Sequence, residues 1–185
     1  MQGIRASFVD SYREFGKART ITTASMFGAV SIVLGSLTLQ AGDFLKVGFS
    51  TIANQMVYLL FGPAVGGCFG AALDVLKYFI KPTGEFFPGW TLGAAAAGVL
   101  YGLFFYKKRL TFLRVLAAEF TVSVVCNMLL GTLWLDIMYG KGFFVLLPAR
   151  VLKNLLMCPA NALIFYSLVR AMEQAGVFRA LRKSV

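Results

Sequence analysis

Long apolar runs are the feature of this chain that most restricts the folds open to it. About 20 apolar residues are enough to cross a bilayer as a helix, and six stretches approach or exceed that length. They lie at 21–39, 47–61, 64–80, 89–106, 112–138 and 143–172. Gly62-Pro63, a turn signal, separates the second run from the third. The sequence therefore predicts an all-α membrane protein, a six-transmembrane-helix bundle.

Composition excludes a soluble globular enzyme. Of the 185 residues, 58% are apolar and 14% are charged, whereas a soluble domain averages about 45–50% apolar and about 25% charged residues. A chain this short cannot hide such an excess in one soluble core, because much of its surface would face water. The chain has no histidine, and its three cysteines form no Cys-x-x-Cys pair. No metal site and no catalytic histidine are therefore predicted.

The positions of the basic residues indicate an orientation. Most of the 18 Lys and Arg residues fall in the amino-terminal segment, in the loop after the fourth run, and in the tail. In a six-helix arrangement these three regions share one side of the membrane, which the positive-inside rule assigns to the cytoplasm. Both termini are therefore predicted to be cytoplasmic. Because topology explains the net charge of +10, no nucleic-acid partner is expected, and the lipid bilayer is the expected surrounding.

The chain divides into three parts. Residues 1–20 are predicted to form a cytoplasmic amphipathic segment, 21–172 the transmembrane domain, and 173–185 a basic cytoplasmic tail. In the first part, apolar side chains recur along one helical face, which favours a helix lying on the membrane surface. The face consists of Ile4, Phe8, Tyr12 and Phe15.

Ionisable side chains at membrane depth indicate sites that face protein or water, because burying them in lipid is costly. In the sixth run, Arg150 and Asn154 share one helical face, and Lys153 lies beside them. Two neighbouring cations favour anion binding. The alternative is that they pair with Asp74 or Glu119 and merely join helices.

Other polar and aromatic residues are further candidates for ligand contact. Asp74 in the third run is as well explained by local pairing as by ligand binding, while Asn127 and Trp134 lie toward the outer half of the fifth run. Phe87 and Trp90, in the loop between the third and fourth runs, belong either to an aromatic belt at the membrane boundary or to a lid that stacks on a planar ligand.

The first run carries two overlapping pairs of small residues at a spacing of four. Ala24 and Gly28 form one pair, and Ser25 and Ala29 form the other. Faces of this kind allow another helix to approach closely, either within the chain or from a partner. The pattern predicts an interface without choosing between the two pairs.

Several segments together resemble the substrate-binding S components of energy-coupling factor (ECF) transporters, and more particularly their folate branch. The resemblance covers roughly residues 20–172. It is carried by Lys81-Pro82-Thr83-Gly84, Phe87-Pro88-Gly89-Trp90-Thr91, Tyr101-Gly102-Leu103, Tyr106-Lys107-Lys108, Asn127-Met128-Leu129-Leu130-Gly131-Thr132-Leu133-Trp134 and Leu147-Pro148-Ala149-Arg150-Val151-Leu152-Lys153-Asn154.

The resemblance implies a non-enzymatic protein that binds folate or a folate derivative with high affinity in a cavity open to the outside. It also implies the partners: a transmembrane coupling subunit (EcfT) and two ATPase subunits of the EcfA type, in a prokaryotic plasma membrane. ATP would be used only by those partners, and this chain would need no cofactor. In this family the small-residue face of the first helix meets the coupling subunit.

The chemistry of folate suggests a role for each class of candidate. Arg150 and Lys153 are expected to hold the glutamate carboxylates, with arginine acting as a bidentate fork. Asp74 is expected to accept hydrogen bonds from the amino-pyrimidine edge of the pterin. The aromatic candidates Phe87, Trp90 and Trp134 are expected to stack on the ring systems.

Three alternatives remain at this stage. The chain could be an S component for another vitamin, such as pantothenate, riboflavin or thiamine. It could be an integral membrane enzyme, although it lacks a G-x-S-x-G elbow and a paired-aspartate motif. It could also be a stand-alone secondary transporter, which would usually show an internal repeat.

Overall fold

The computed structural model describes residues 2–36, 39–41, 45–47, 50–80, 86–108, 110–140 and 143–174. Its elements in chain order are α1 (Gln2–Glu14), α2 (Ala18–Ser36), β1 (Leu39–Ala41), β2 (Leu45–Val47), α3 (Ser50–Ile80), α4 (Pro88–Phe105), α5 (Phe112–Val122), a π-helical segment (Ser123–Leu130), α6 (Gly131–Tyr139) and α7 (Phe143–Gln174). The two strands pair antiparallel, with Gln40 opposite Lys46.

Apart from this strand pair and short connecting segments, the described residues are helical, and the helices after α1 are apolar. By length and composition, five of them could cross a membrane: Ala18–Gly35, Ser50–Ile80, Pro88–Phe105, Phe112–Met138 and Arg150–Gln174. The predicted all-α class with membrane-spanning helices is thereby confirmed. The third predicted run lies within α3, and so do residues 50–61 of the second, whereas Val47, where the second run was predicted to begin, is the last residue of β2.

Helix α3 folds back on itself at Gly62. This residue has φ +84° and ψ −168°, which is not helical, and the following Pro63 has no N–H to continue the helix. A Cβ at Gly70 would lie 3.3 Å from the Tyr58 hydroxyl, although these two residues would be about 18 Å apart along a straight helix. The arms 50–61 and 63–80 therefore pack side by side, and the break lies where the sequence predicts a turn.

Ser11 of α1 holds this turn in place. Its buried hydroxyl donates to the Phe61 carbonyl at 2.6 Å and accepts from the backbone N–H groups of Ala64 and Val65 at 3.0 and 3.2 Å. These two N–H groups begin the second arm of α3, where helical backbone donors have no partner within the helix. The amino-terminal helix thus caps α3 from outside it.

The loop after α4 lies at the same end of the bundle. Lys107 forms an ion pair with Asp10 of α1, with 2.7 Å between Nζ and Oδ2. The hydrogen bond from Lys107 lowers the pKa of the Asp10 carboxyl, and Asp10 in turn raises the pKa of Lys107. Two of the basic regions identified in the sequence therefore meet at one end.

The opposite end and the core fix the remaining helices. A Cβ at Gly35 of α2 would lie 3.7 Å from Ser50 Cβ and 4.0 Å from Lys77 Cε, so both ends of α3 approach the end of α2. Within the core, the ring of Phe105 from α4 stacks on Phe165 of α7 at 5.2 Å between centroids. The ring contact joins the last turn of α4 to α7, whereas the start of α4 lies beside the π-helical segment and α7, because a Cβ at Gly131 would lie near both Trp90 and Arg150.

Candidate functional site

The aromatic part of the candidate site lies where α4 begins beside α6. The rings of Phe87 and Trp134 are 5.5 Å apart between centroids and inclined at 57°. Gly89 lies between them, and a Cβ at that position would overlap the Phe87 ring and come within 2.7 Å of Trp134. The sequence did not single out Gly89, although its place between two aromatic candidates is a signal for close packing.

The cationic part is Arg150, which reaches from α7 to the π-helical segment. Its Nη1 donates a hydrogen bond to the backbone carbonyl of Asn127 at 3.0 Å. A Cβ at Gly131 would lie 2.7 Å from this Nη1 and 3.8 Å from Cζ3 of Trp90. Arg150, Trp90 and Gly131 are therefore neighbours. Among the side chains that the structure describes, no carboxylate forms an ion pair with Arg150.

The two acidic residues considered as partners for Arg150 bind elsewhere. Asp74 accepts a hydrogen bond from the Thr91 hydroxyl at 2.9 Å, which links α3 to α4. Glu119 is only 3% exposed and is bonded by the side chains of Gln55 and Tyr101. Arg150 thus keeps its positive charge without either acid, which is the arrangement that anion binding requires.

Three other candidates, Asn127, Lys153 and Asn154, remain predictions as ligand contacts. The side chains of Asn127 and Lys153 are exposed, and no hydrogen bond or ion pair joins either one to the described residues of the site. Asn127 contributes its backbone carbonyl instead. Asn154 donates to the carbonyl of Arg150 at 3.0 Å, so it contacts the backbone of its own helix.

The indole of Trp134 offers a further polar group. Its Nε1 is buried, and it has no hydrogen-bond partner among the described residues. Buried polar groups of proteins are nearly always paired. Within the described part of the chain, the site therefore holds a polar donor that no other side chain or carbonyl satisfies.

Two grooves on the described part of the chain have none of Phe87, Trp90, Trp134 and Arg150 in their lining. One, with a volume of about 1060 Å³, separates α1 from α3 and α4 and is lined by apolar residues such as Tyr12, Cys68 and Val99. A second, of about 330 Å³, lies beside Phe86 and Leu92. The part of the predicted lid at 81–85 lies outside the described residues.

Comparison with known proteins agrees with the architecture. A family model described as "ECF transporter, substrate-specific component" matches residues 19–169. The chain belongs to this family. The predicted resemblance is thereby confirmed, and so is the expectation that the protein is a transporter component and not an enzyme.

Individual relatives of this S component are similar over most of their length. The folate transporter FolT of Clostridium novyi is 36% identical over 80% of this chain and 85% of its own. FolT of Leuconostoc mesenteroides is 30% identical over 82% of this chain and 84% of its own. The solved structure of FolT bound with folic acid matches with a TM-score of 0.74 and 33% identity, covering 82% of this chain and 93% of that chain.

The first membrane helix of this S component uses its two small-residue pairs differently. Ala24 and Gly28 are buried, and a Cβ at Gly28 would lie 3.4 Å from the ring of Phe69 in α3. Ser25 and Ala29 are exposed. One pair therefore packs within the chain, whereas the other is left on the surface.

Proposed function

We propose that this chain is the high-affinity folate-binding S component of an ECF-type importer. The observation that carries the proposal is the likeness to FolT bound with folic acid, which extends over most of both chains. Two relatives with the same name support it. The site agrees with this ligand chemically, because it offers a cation, aromatic rings and a buried N–H donor close together.

In this proposal Arg150 holds the anionic end of folate. Its guanidinium has five N–H donors. Among the described residues, one of these donors is bonded, to the Asn127 carbonyl. Trp90, Phe87 and Trp134 form the surface against which the ring systems stack. Asp74 is assigned to the pterin edge, through the oxygen that Thr91 does not occupy.

Equilibrium binding to the purified chain tests the ligand. Folate, riboflavin, thiamine and pantothenate are compared by thermal unfolding in detergent, since a ligand at 100 times its dissociation constant adds about 2.7 kcal/mol of stability. We expect stabilisation by folate alone. Stabilisation by another of these vitamins, with none by folate, would assign the chain to a different branch of the family.

The proposal includes partners that supply energy. The chain contains no G-x-x-x-x-G-K-[ST] sequence, the motif whose backbone cradles nucleotide phosphates in P-loop ATPases. In this proposal ATP is used by two EcfA-type subunits, which act through the coupling subunit EcfT in a prokaryotic plasma membrane. Uptake of folate by cells should require all of these subunits, whereas binding should require this chain alone.

The exposed pair Ser25 and Ala29 is our choice for the surface that meets EcfT. Small exposed residues let the backbone of a partner helix come close. The substitution Ser25→Trp should abolish folate uptake while leaving the dissociation constant unchanged. Leu163→Trp, at an exposed position on α7, is the matched control and should affect neither. A loss of folate binding in Ser25→Trp would mean that this face packs internally.

We also propose six membrane crossings with both termini in the cytoplasm, so that the segments 1–20 and 173–185 flank the domain 21–172 on that side. The two arms of α3 support this count, because each runs between the same two ends of the bundle. The contact of Lys107 with Asp10 supports a shared side for two basic regions. Reporter fusions at each terminus should both report the cytoplasm.

A further inference from the structure

The chain changes helical geometry opposite Arg150. Residues Ser123–Leu130 form a π-helix, and the N–H of Gly131 bonds to the carbonyl of Cys126, five residues back. From Gly131 onward the chain is again α-helical. Such π-helical insertions are rare and occur frequently at functional sites. In a π-helix each N–H bonds to the carbonyl five residues back, and in an α-helix to the carbonyl four residues back. Where the chain changes from the first pattern to the second, one carbonyl is skipped and can accept from another donor.

The carbonyl that binds Arg150 lies at this change of register. Asn127 directly follows Cys126, and its oxygen accepts the hydrogen bond from Arg150 Nη1 at 3.0 Å. The π-helical segment therefore presents a backbone acceptor to the guanidinium without placing a second charge there. A neutral acceptor orients the cation and leaves its charge uncompensated.

Gly131 provides the space in which the guanidinium lies. A Cβ added at this position would be 2.7 Å from Arg150 Nη1, a distance shorter than any ordinary carbon–nitrogen contact. It would also be 3.2 Å from the Cys126 carbonyl and 3.8 Å from Trp90. Any other residue would therefore displace the end of the arginine side chain.

We infer that Gly131 and the π-helical segment are positioning elements that hold Arg150 in place for a carboxylate of the ligand. With Nη1 anchored on the Asn127 carbonyl, the remaining N–H donors are left to form a bidentate contact with a carboxylate. Anchoring before binding reduces the ordering that the ligand must impose. This inference rests on the proposed function, since it names the ligand group that Arg150 receives.

The substitution Gly131→Ala tests the inference with little risk to folding, because the closest atom is the end of a flexible side chain and the Cys126 carbonyl, at 3.2 Å, needs to shift by only a few tenths of an ångström. We expect the affinity for folate to fall by about tenfold or more, the range for a lost hydrogen bond to a charged group. The affinity for folic acid dimethyl ester, whose glutamate carboxylates are neutralised, should change little. Gly93→Ala is the matched control, because a Cβ at Gly93 meets nothing within 4 Å.

A double-mutant cycle separates positioning from general structural damage. If Gly131 acts through Arg150, then Gly131→Ala should have no further effect on folate binding in an Arg150→Ala background. An equal loss in both backgrounds, or an equal loss for folate and its ester, would overturn the inference. Wild-type protein that binds no folate would instead overturn the proposed function, and the inference with it.

Discussion

At the end of the bundle where α3 turns, the hydroxyl of Ser11 makes three hydrogen bonds to backbone groups beside the break. At the other end, the indole N–H of Trp134 makes none with any described residue, and Arg150 bonds to a carbonyl instead of a carboxylate. The first end is complete by itself. The second keeps a donor and a positive charge available, and this difference separates polar groups that stabilise a fold from those that receive a ligand.

The sharpest test of the comparison is Arg150→Ala. We expect folate affinity to fall by about 100-fold or more, because the ligand carboxylate would lose a bidentate charged contact worth roughly 3 kcal/mol or more. The unliganded protein should lose much less stability than the complex, since Arg150 has no ion pair among the described residues and only its hydrogen bond to the Asn127 carbonyl is removed. Isothermal titration and thermal unfolding measure the two effects separately.

The control for that experiment is Lys153→Ala on the same helix. The sequence predicts that both cations bind the ligand, but Lys153 is exposed and Arg150 is half-buried at the site. We expect the loss of Lys153 to change folate affinity by less than about threefold, in line with the small effect of most exposed charges. Equal losses of folate affinity from the two substitutions would show that Lys153 contacts the ligand as well.

Ser11→Ala tests the end of the bundle where α3 turns, and it should lower stability without changing folate affinity. Removing the hydroxyl leaves the half-buried N–H of Ala64 and the buried N–H of Val65 without their acceptor, which should reduce the free energy of unfolding by about 1–3 kcal/mol. Folate affinity of the folded protein should be unchanged. Ser167→Ala, at an exposed position of α7, is the control for stability, and reduced folate affinity in Ser11→Ala would show that the two ends are coupled.

The smallest expected effect comes from the exposed pair of Asp10 and Lys107. Because Lys107 lowers the pKa of Asp10 below its usual 3.8, the pair stabilises the fold at neutral pH. This stabilisation is lost as the pH falls through the lowered pKa. Thermal unfolding should therefore show Asp10→Asn slightly less stable than wild type near neutral pH and equal to it in acid. High salt should also reduce the difference, and a difference that persisted in acid would argue against the pair as its cause.

Local signals in the sequence predicted local structure well. The apolar runs predicted helices of sufficient length, and Gly62-Pro63 predicted the break in α3, because a positive φ and a missing N–H act on the backbone wherever they occur. The aromatic candidates Phe87 and Trp134 do meet. Partners of the charged residues were harder to predict: Glu119 was considered as an ion-pair partner for Arg150, yet it lies with Gln55 and Tyr101.

The sequence alone determined that this chain is a bundle of apolar helices, because hydrophobicity and backbone geometry are properties of each segment by itself. Only the tertiary structure decided that Ala24 and Gly28 are buried while Ser25 and Ala29 are exposed. It also decided that Arg150 donates to the Asn127 carbonyl beside Gly131. Both decisions depend on which helices become neighbours and how each is rotated about its axis. That rotation is set by packing across the whole bundle, and no single segment encodes it.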